Sequence, residues 1–302
     1  MWAVIVNPIS ANGSTGKRWP RTSRILRDLL PPFQAKLTAG PGHARSLAFQ
    51  AVEEGAEVIL VHGGDGTLNE VVNGYLSHPK HERTALALLP HGTGSDFAKT
   101  LELPRDPERA ATQLLSGHEK RLDVGLATFP GPPQGANQRY FVNIADIGFG
   151  GELVQYVNSR SKRLGGKLSF LRGLLVTLRH YRNKNLRISL EDGETMHVVA
   201  SSVIVANGQY FGGGMWVAPR ASLTDGYLDI VVVGDVTRRE VIANLSRLYR
   251  GTLAEHPKVQ TFPARQLDVA SGETTHVEMD GELSGALPVS IRIQPEAIRF
   301  LC

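Results

Sequence analysis

Cysteine is almost absent. The 302 residues hold one, Cys302, at the last position. No internal disulfide can form, which fits a reducing compartment, and no Cys/His spacing of a zinc site exists. The ten histidines include no His-Glu-x-x-His pattern, and most are expected on the surface or in loops. Aromatic residues make up only 7% and do not interleave with the basic stretches, so no nucleic-acid partner is expected. Long apolar runs are missing too: none approaches the roughly 18 residues of a membrane span. The first run, Trp2 to Val6, meets Asn7-Pro8 at once and has no basic leader, so it does not read as a signal peptide. These absences predict a cytoplasmic protein whose membrane contact is peripheral.

What remains is ordinary globular chemistry, 41% hydrophobic and 21% charged, with a net charge of +4 that suits anionic ligands or an anionic membrane surface. The first third alternates strands and helices: strands at 3–6, 34–37, 58–61 and 85–89, helices at 19–30, 43–54, 67–76 and 95–101. That alternation predicts a parallel sheet covered on both faces, with ligands at the carboxyl ends of its strands. After residue 122 the pattern changes to period-2, β-branched runs at 140–144, 186–190, 196–206, 228–233, 275–279 and 289–293, which predicts an antiparallel β-sandwich. Helical stretches at about 151–182 and 237–250 interrupt it.

The most informative segment is Val61-His62-Gly63-Gly64-Asp65-Gly66-Thr67-Leu68-Asn69-Glu70. A glycine-rich turn joins a strand end to a helix start, so backbone N–H groups and the positive end of a helix dipole point at one spot. Gly63, Gly64 and Gly66 admit a bulky anion close to the main chain. Asp65 would repel a bare phosphate but suits one accompanied by a divalent cation. Thr67 and Glu70 have capping-box spacing, which predicts a helix starting at the loop. The same residues also read as a plain tight turn.

Other strand ends carry similar loops. Asn7-Pro8-Ile9-Ser10-Ala11 through Lys17 imitates a P-loop but has Ala11 for its first glycine and Arg18 where Ser or Thr is needed. Gly92-Thr93-Gly94-Ser95 opens another helix, with Thr93 or Ser95 as its cap. Asp225-Gly226 is a turn that can also ligate a cation. Asp280-Gly281-Glu282 ends a strand with two carboxylates, which suits either general-base work or a hairpin.

Together these segments resemble the catalytic region of the diacylglycerol kinase family, which includes the sphingosine and ceramide kinases. The likeness follows the family's order along nearly the whole chain: Asn7-Pro8, Gly63 to Glu70, Gly92-Thr93, Asp96-Phe97-Ala98, Asp123-Val124-Gly125, Ala206-Asn207-Gly208, Gly212-Gly213-Gly214, Asp225 to Asp229 and Asp280-Gly281-Glu282. It implies an NAD-kinase/phosphofructokinase-like α/β nucleotide domain of residues 1–122 plus 292–302, and a β-sandwich lipid-substrate domain of residues 123–291. By that resemblance, Asn7 to Ala11, Thr38, Gly63 to Glu70, Gly92 and Thr93 line an ATP site, and Asp65 helps position a catalytic magnesium. Asp225 with the carbonyls of Ser222 and Tyr227 would hold a second magnesium. Asp96 and Asp123 would belong to a linking hydrogen-bond network. Asp280 or Glu282 would take the proton of a lipid hydroxyl. Ser95 stands where the family usually has Asn, and both it and Ala11 are small enough to preserve activity.

The implied activity is transfer of the ATP γ-phosphoryl to a lipid hydroxyl, most simply diacylglycerol. A soluble-substrate kinase such as an NAD kinase, or a non-catalytic nucleotide or lipid sensor, is the competing reading. Residues 160–187 hold nine Lys/Arg and no acid, with Leu168, Leu171, Leu175 and Leu178 at helical spacing. This predicts either an interfacial helix on an anionic membrane or a helix packed on the sandwich with a solvated basic edge.

Overall fold

The computed structural model describes residues 1–131, 137–158 and 166–302. The first part runs β1 (Trp2–Val6), α1 (Ser14–Leu29), β2 (Phe33–Leu37), α2 (His43–Glu53), β3 (Val58–Gly63), α3 (Asp65–Leu76), β4 (Ala85–Pro90), α4 (Asp96–Thr100) and α5 (Pro107–Leu115). The chain continues through β5 (Glu119–Phe129), β6 (Asn137–Phe141), β7 (Ile144–Gly148), α6 (Phe149–Asn158) and α7 (Gly166–His180). Then come β8 (Lys184–Leu190), β9 (Thr195–Ala200), β10 (Ser202–Ala206), the short hairpin β11 (Tyr210–Phe211) and β12 (Met215–Trp216), β13 (Leu228–Val233) and α8 (Arg238–Arg250). The last strands are β14 (Val259–Ala264), β15 (Gln266–Ala270), β16 (His276–Met279), β17 (Glu282–Ala286) and β18 (Val289–Leu301).

Strands β2, β1, β3 and β4 pair in parallel, in that order. Their residues are buried on both faces where helices cover them: Ile5, Ile59 and Val61 meet α2 and α3, while Val4, Leu60 and Leu89 meet α1 and α5. Each such Leu or Ile contributes about 1.5–3 kcal/mol by leaving water. Helix α5 starts with Asp106 accepting the Arg109 amide at 3.1 Å and Pro107 in its first turn. It is absent from the expected elements, although Asp-Pro-Glu is a helix-start signal.

β18 binds the two halves. It lies parallel to β4 at Phe300, opposite Leu86, and antiparallel to β5 and β15. The large sheet thus continues into antiparallel strands, which face a second sheet ordered β14-β13-β10-β7-β16-β17. Ile188, Leu267 and Ile291 from one sheet meet Ile147, Val205 and Val277 from the other. The expected α/β half and antiparallel sandwich are both present.

Two expected strands are each split. Residues 196–206 turn at Ser201 between β9 and β10. The strand placed at 140–144 breaks after Phe141, because the amides of Val142, Asn143 and Ile144 leave the ladder to donate to the Asp280 carboxylate at 2.9, 3.0 and 3.1 Å.

Candidate active site

The loops after β1, β2, β3 and β4 all open on one edge of the parallel sheet, as expected for this architecture. Asn7 ties two of them together. Its Nδ2 donates to Thr67 Oγ1 at 2.8 Å, and its Oδ1 accepts the Ile9 amide at 3.2 Å. Ala11, Asn12 and Gly13 follow with φ of 49°, 56° and 82°, a left-handed run that turns the chain into α1. Thr38 closes β2 by donating its amide to the Val6 carbonyl at 2.9 Å.

Helix α3 starts at Asp65, two residues earlier than the sequence reading. Thr67 is therefore inside the helix, and the expected Thr67/Glu70 capping box does not form. The Thr67 hydroxyl is taken by Asn7, and the Glu70 carboxylate instead accepts the Gly42 and Ala44 amides at 2.8 and 3.0 Å, at the start of α2. Leu68 is fully buried in the core, so only its backbone faces the loop.

Asp65 reaches across to the loop after β4. Its Oδ1 accepts the Phe97 amide at 3.3 Å. Ser95 holds the cap position of α4 but does not cap it; its hydroxyl donates to the Gly92 carbonyl at 3.3 Å, so the expected Thr93 or Ser95 cap is replaced by Asp65. Burial and the neighbouring Asp96 carboxylate push Asp65 above the usual carboxylate range. Asp96 gives one oxygen to Lys99 Nζ at 2.8 Å and the other to the Gly213 amide at 2.7 Å, in the β11–β12 turn. A Cβ on Gly94 would lie 3.1 Å from Asp65 Oδ2 and 3.2 Å from Asp96 Oδ2. The bare glycine leaves room where the two carboxylates converge. A hard divalent cation completed by water and phosphate oxygens fits such a donor set.

The acidic hairpin of the second half comes to this edge. Asp280 is partly buried, at φ 50°, and its carboxylate accepts from three backbone amides and from Asn69 Nδ2 at 2.8 Å. Burial raises it to about 6. Glu282 is half-exposed and ion-paired with Arg139. Its Oε1 lies 3.8 Å from where a Cβ of Gly66 would stand. A strand-to-helix glycine loop bearing an acid thus faces a carboxylate carried in from the far end of the chain.

Comparison with known proteins places the chain in a family. Residues 1–127 match the model of the diacylglycerol kinase catalytic domain, and residues 144–302 match the YegS C-terminal NAD kinase beta sandwich-like domain. This chain belongs to the diacylglycerol kinase family. Curated relatives include the diacylglycerol kinase of Staphylococcus saprophyticus, 30% identical over 94% of this chain and 90% of that protein. The diacylglycerol kinase of Staphylococcus carnosus is 29% identical over 95% and 90%. A crystal structure of a candidate diacylglycerol kinase from Bacillus anthracis superposes with a TM-score of 0.80 at 26% identity, covering 99% of this chain and 94% of that one. The protein is a kinase, a phosphotransferase.

The kinase's second acidic cluster is separate. Asp225 lies in a turn after β12, and among the described residues no hydrogen bond joins that turn to the Asp65 loop. Asp225 Oδ1 accepts the Tyr227 amide at 3.0 Å, and Gly226, at φ 75°, donates to Asp123 Oδ2 at 2.7 Å. Ser222 Oγ contacts Thr224 at 3.4 Å. Asp123 also accepts the Glu296 amide at 2.8 Å, so it links β5 to β18 and to this turn. Burial, then the Asp225 charge, raise both Asp123 and Asp229. Carboxylates crowded in this way, with Arg220 as the cation acting on Asp229, suit a bound metal, although among the described residues no three His, Cys, Asp or Glu side chains converge as a ready-made site. Backbone carbonyls and water would have to complete it.

Sequence reasoning missed several neighbours. His62 is buried rather than exposed, its Nδ1 against the Leu89 carbonyl at 3.2 Å and its ring beside Trp19 and His91. Burial lowers it to about 4, so it is neutral behind the loop. Lys99 carried a signal, three residues after Asp96 on a helix. Arg139 carried none. In the basic segment, residues 160–165 lie outside the described residues. The side chains of Leu168 and Leu171 are likewise outside what the structure describes; of the other two leucines, Leu175 is exposed and Leu178 buried.

Proposed function

We propose that this kinase transfers the γ-phosphoryl of ATP to a lipid hydroxyl, with diacylglycerol as acceptor, and that it works from the cytoplasm. The observation that supports this best is the approach of Glu282 to Gly66, reinforced by the bond between Asn69 and Asp280. It joins a phosphate-type loop to an acidic hairpin across the two halves. Backbone amides of residues 63–67 and the loops at 7–11 and 92–93 would orient the nucleotide, with Thr38 at the rim. Magnesium held at Asp65 would neutralise phosphate charge, and the crowded turn at Asp225, with the carbonyls of Ser222 and Tyr227, would hold a structural one.

Glu282 is the base in this reading. It is exposed enough to meet a substrate, and its other oxygen is steadied by Arg139. It would accept the hydroxyl proton as the lipid oxygen bonds to phosphorus and ADP leaves. Asp280 has its oxygens occupied by four N–H donors, so it shapes the hairpin that presents Glu282. Phosphoryl transfer needs positioning and charge neutralisation more than covalent help. The test is incubation of the purified protein with labelled ATP and lipid acceptors, with magnesium and with chelator. Magnesium-dependent labelling of diacylglycerol is expected. Labelling of NAD, or of no acceptor by a folded sample, would overturn the proposal.

A further inference from the structure

Helix α1 opens with the wrong charge for a helix on its own. Its first turn holds no acid, and Lys17 and Arg18 follow at once, both exposed. Helical side chains lean back toward the N-terminus, where the positive end of the dipole repels cations. Among the described residues neither forms an ion pair. Arg105 approaches from the chain between α4 and α5, with its Nη2 3.5 Å from the Gly94 carbonyl. It is also exposed and, among the described residues, without an ion pair. Asp106, next to it in the chain, spends its carboxylate on the start of α5.

His91 stands among these cations. Its Nε2 lies 2.9 Å from Ser14 Oγ, and its carbonyl accepts the Ser10 and Thr15 hydroxyls at 3.1 and 3.4 Å. It therefore knots the first loop to the loop after β4. Its Nδ1 makes no hydrogen bond among the described residues. Burial, then the charges of Arg18 and Arg105, lower His91 below the usual histidine range, so the ring is neutral at pH 7. From β3, the His62 ring faces it at 5.6 Å between centroids, and His62, at about 4, is uncharged too. Among the described residues no carboxylate pairs with His91.

We propose that His91 is a proton-linked contact for the phosphate tail of the nucleotide: it takes a proton from solvent when a polyphosphate covers Arg18 and Arg105, and gives its free Nδ1–H to a phosphate oxygen. One N–H bond forms on the ring at the expense of a buffer acid, and no other covalent bond changes. The cations that keep the proton away are themselves natural partners of phosphate. A polyphosphate there turns the field at the ring from positive to negative, which favours the charged imidazole. A purely structural histidine would need only its Ser14 bond, and its protonation would ignore the nucleotide. The inference rests on ATP as the phosphoryl donor and is independent of the acceptor.

Titration calorimetry of the full chain with MgATP, in buffers of different ionisation enthalpy, counts the proton directly. At about pH 6.5 the parent is expected to take up about half a proton per nucleotide more than His91→Gln, whose amide can keep the Ser14 bond but cannot titrate. From about pH 8 to pH 6 the affinity of the parent should rise about tenfold relative to that variant. Titration of the nucleotide itself is common to both proteins and cancels. Arg18→Gln and Arg105→Gln should each shrink the uptake, because the free ring then holds its proton more readily. Magnesium tripolyphosphate should reproduce the effect and adenosine should not. The ring C–H resonance of His91 should titrate at higher pH once MgATP is added, which decides the matter if the Gln variant fails to fold. MgATP binding with equal proton uptake in parent and variant, or a His91 resonance indifferent to MgATP, would overturn the proposal and leave the kinase reading standing. A folded protein that does not bind MgATP would remove both. Full uptake with inorganic phosphate alone would overturn the nucleotide as occupant in favour of a free anion.

Discussion

Asp280 and Glu282 are two residues apart and chemically alike, yet their surroundings give them opposite tasks. Asp280 is enclosed and accepts four N–H bonds, one of them from Asn69, 211 residues away in the chain. Glu282 faces solvent and the glycine loop. Glu282→Gln should therefore lower kcat by about 10²–10⁴, the usual weight of a general base, with an unchanged urea midpoint. Asp280→Asn replaces one acceptor oxygen by a donor aimed at amide donors. It should cost about 1–3 kcal/mol of stability, visible as a lower urea midpoint even without nucleotide. If Glu282→Gln kept full kcat while Asp280→Asn folded normally and lost it, the roles would be reversed. A second pair of acids gives a pH signature. Asp146 and Glu278 face each other across β7 and β16, both buried, and Asp146 Oδ1 has no partner. Burial raises Asp146 to about 7 and Glu278 well above its ordinary range. The native state thus holds protons that the unfolded chain releases, so Asp146 costs stability as pH rises from about 4 to 7, and Glu278 acts in the same direction. Asp146→Asn should be more stable than the parent at pH 8, by at most about 4 kcal/mol, and no more stable at pH 4. Thermal melts at the two pH values measure it.

At the scale of elements, one signature occurs twice with different outcomes. Thr237-x-x-Glu240 forms a full capping box: the Glu240 amide reaches Thr237 Oγ1 at 3.3 Å and the Thr237 amide reaches the Glu240 carboxylate at 2.7 Å. Thr67-x-x-Glu70 has the same spacing and forms none. The reason lies outside the helix. Asn7 claims the Thr67 hydroxyl and the start of α2 claims the Glu70 carboxylate, while at α8 Lys258 pairs with Glu240 without displacing the Thr237 amide from its carboxylate. Thr237→Ala should cost about 0.5–2 kcal/mol through the lost cap, seen in urea unfolding. Thr67→Ala should leave the start of α3, which has no side-chain cap, unchanged and instead loosen the first loop, raising the KM for nucleotide. An equal loss of stability in both variants, with nucleotide KM unmoved, would contradict the comparison.

For the molecule as a whole, β18 and Asp123 hold the halves in register. The strand pairs with β4, β5 and β15, and Asp123 takes amides from Glu296 and Gly226. Burial raises Asp123 and Asp229, and a metal at the neighbouring Asp225 turn would relieve the repulsion that adds to it. Magnesium should then raise the melting temperature, chelation should lower it, and Asp225→Ala should abolish most of the difference. A melting temperature indifferent to magnesium in the parent would remove the structural ion.

The placement of glycine-rich loops at four strand ends was legible in the chain, because Gly, Asp and Thr act on the backbone within a few residues and the period of the apolar residues shows which element follows. The change from alternating helices to period-2 strands was legible for the same reason, and with it both kinds of layer. Which side chain bonds to which was not. Asn7 with Thr67, Asp65 with Phe97, and Asp280 with Asn69 and the 142–144 amides join residues from about 30 to more than 200 positions apart. Such partners are chosen by packing and by the need of every buried donor and acceptor for a mate. That need, satisfied only in three dimensions, separated Glu282 from Asp280 and gave two identical capping signatures different roles.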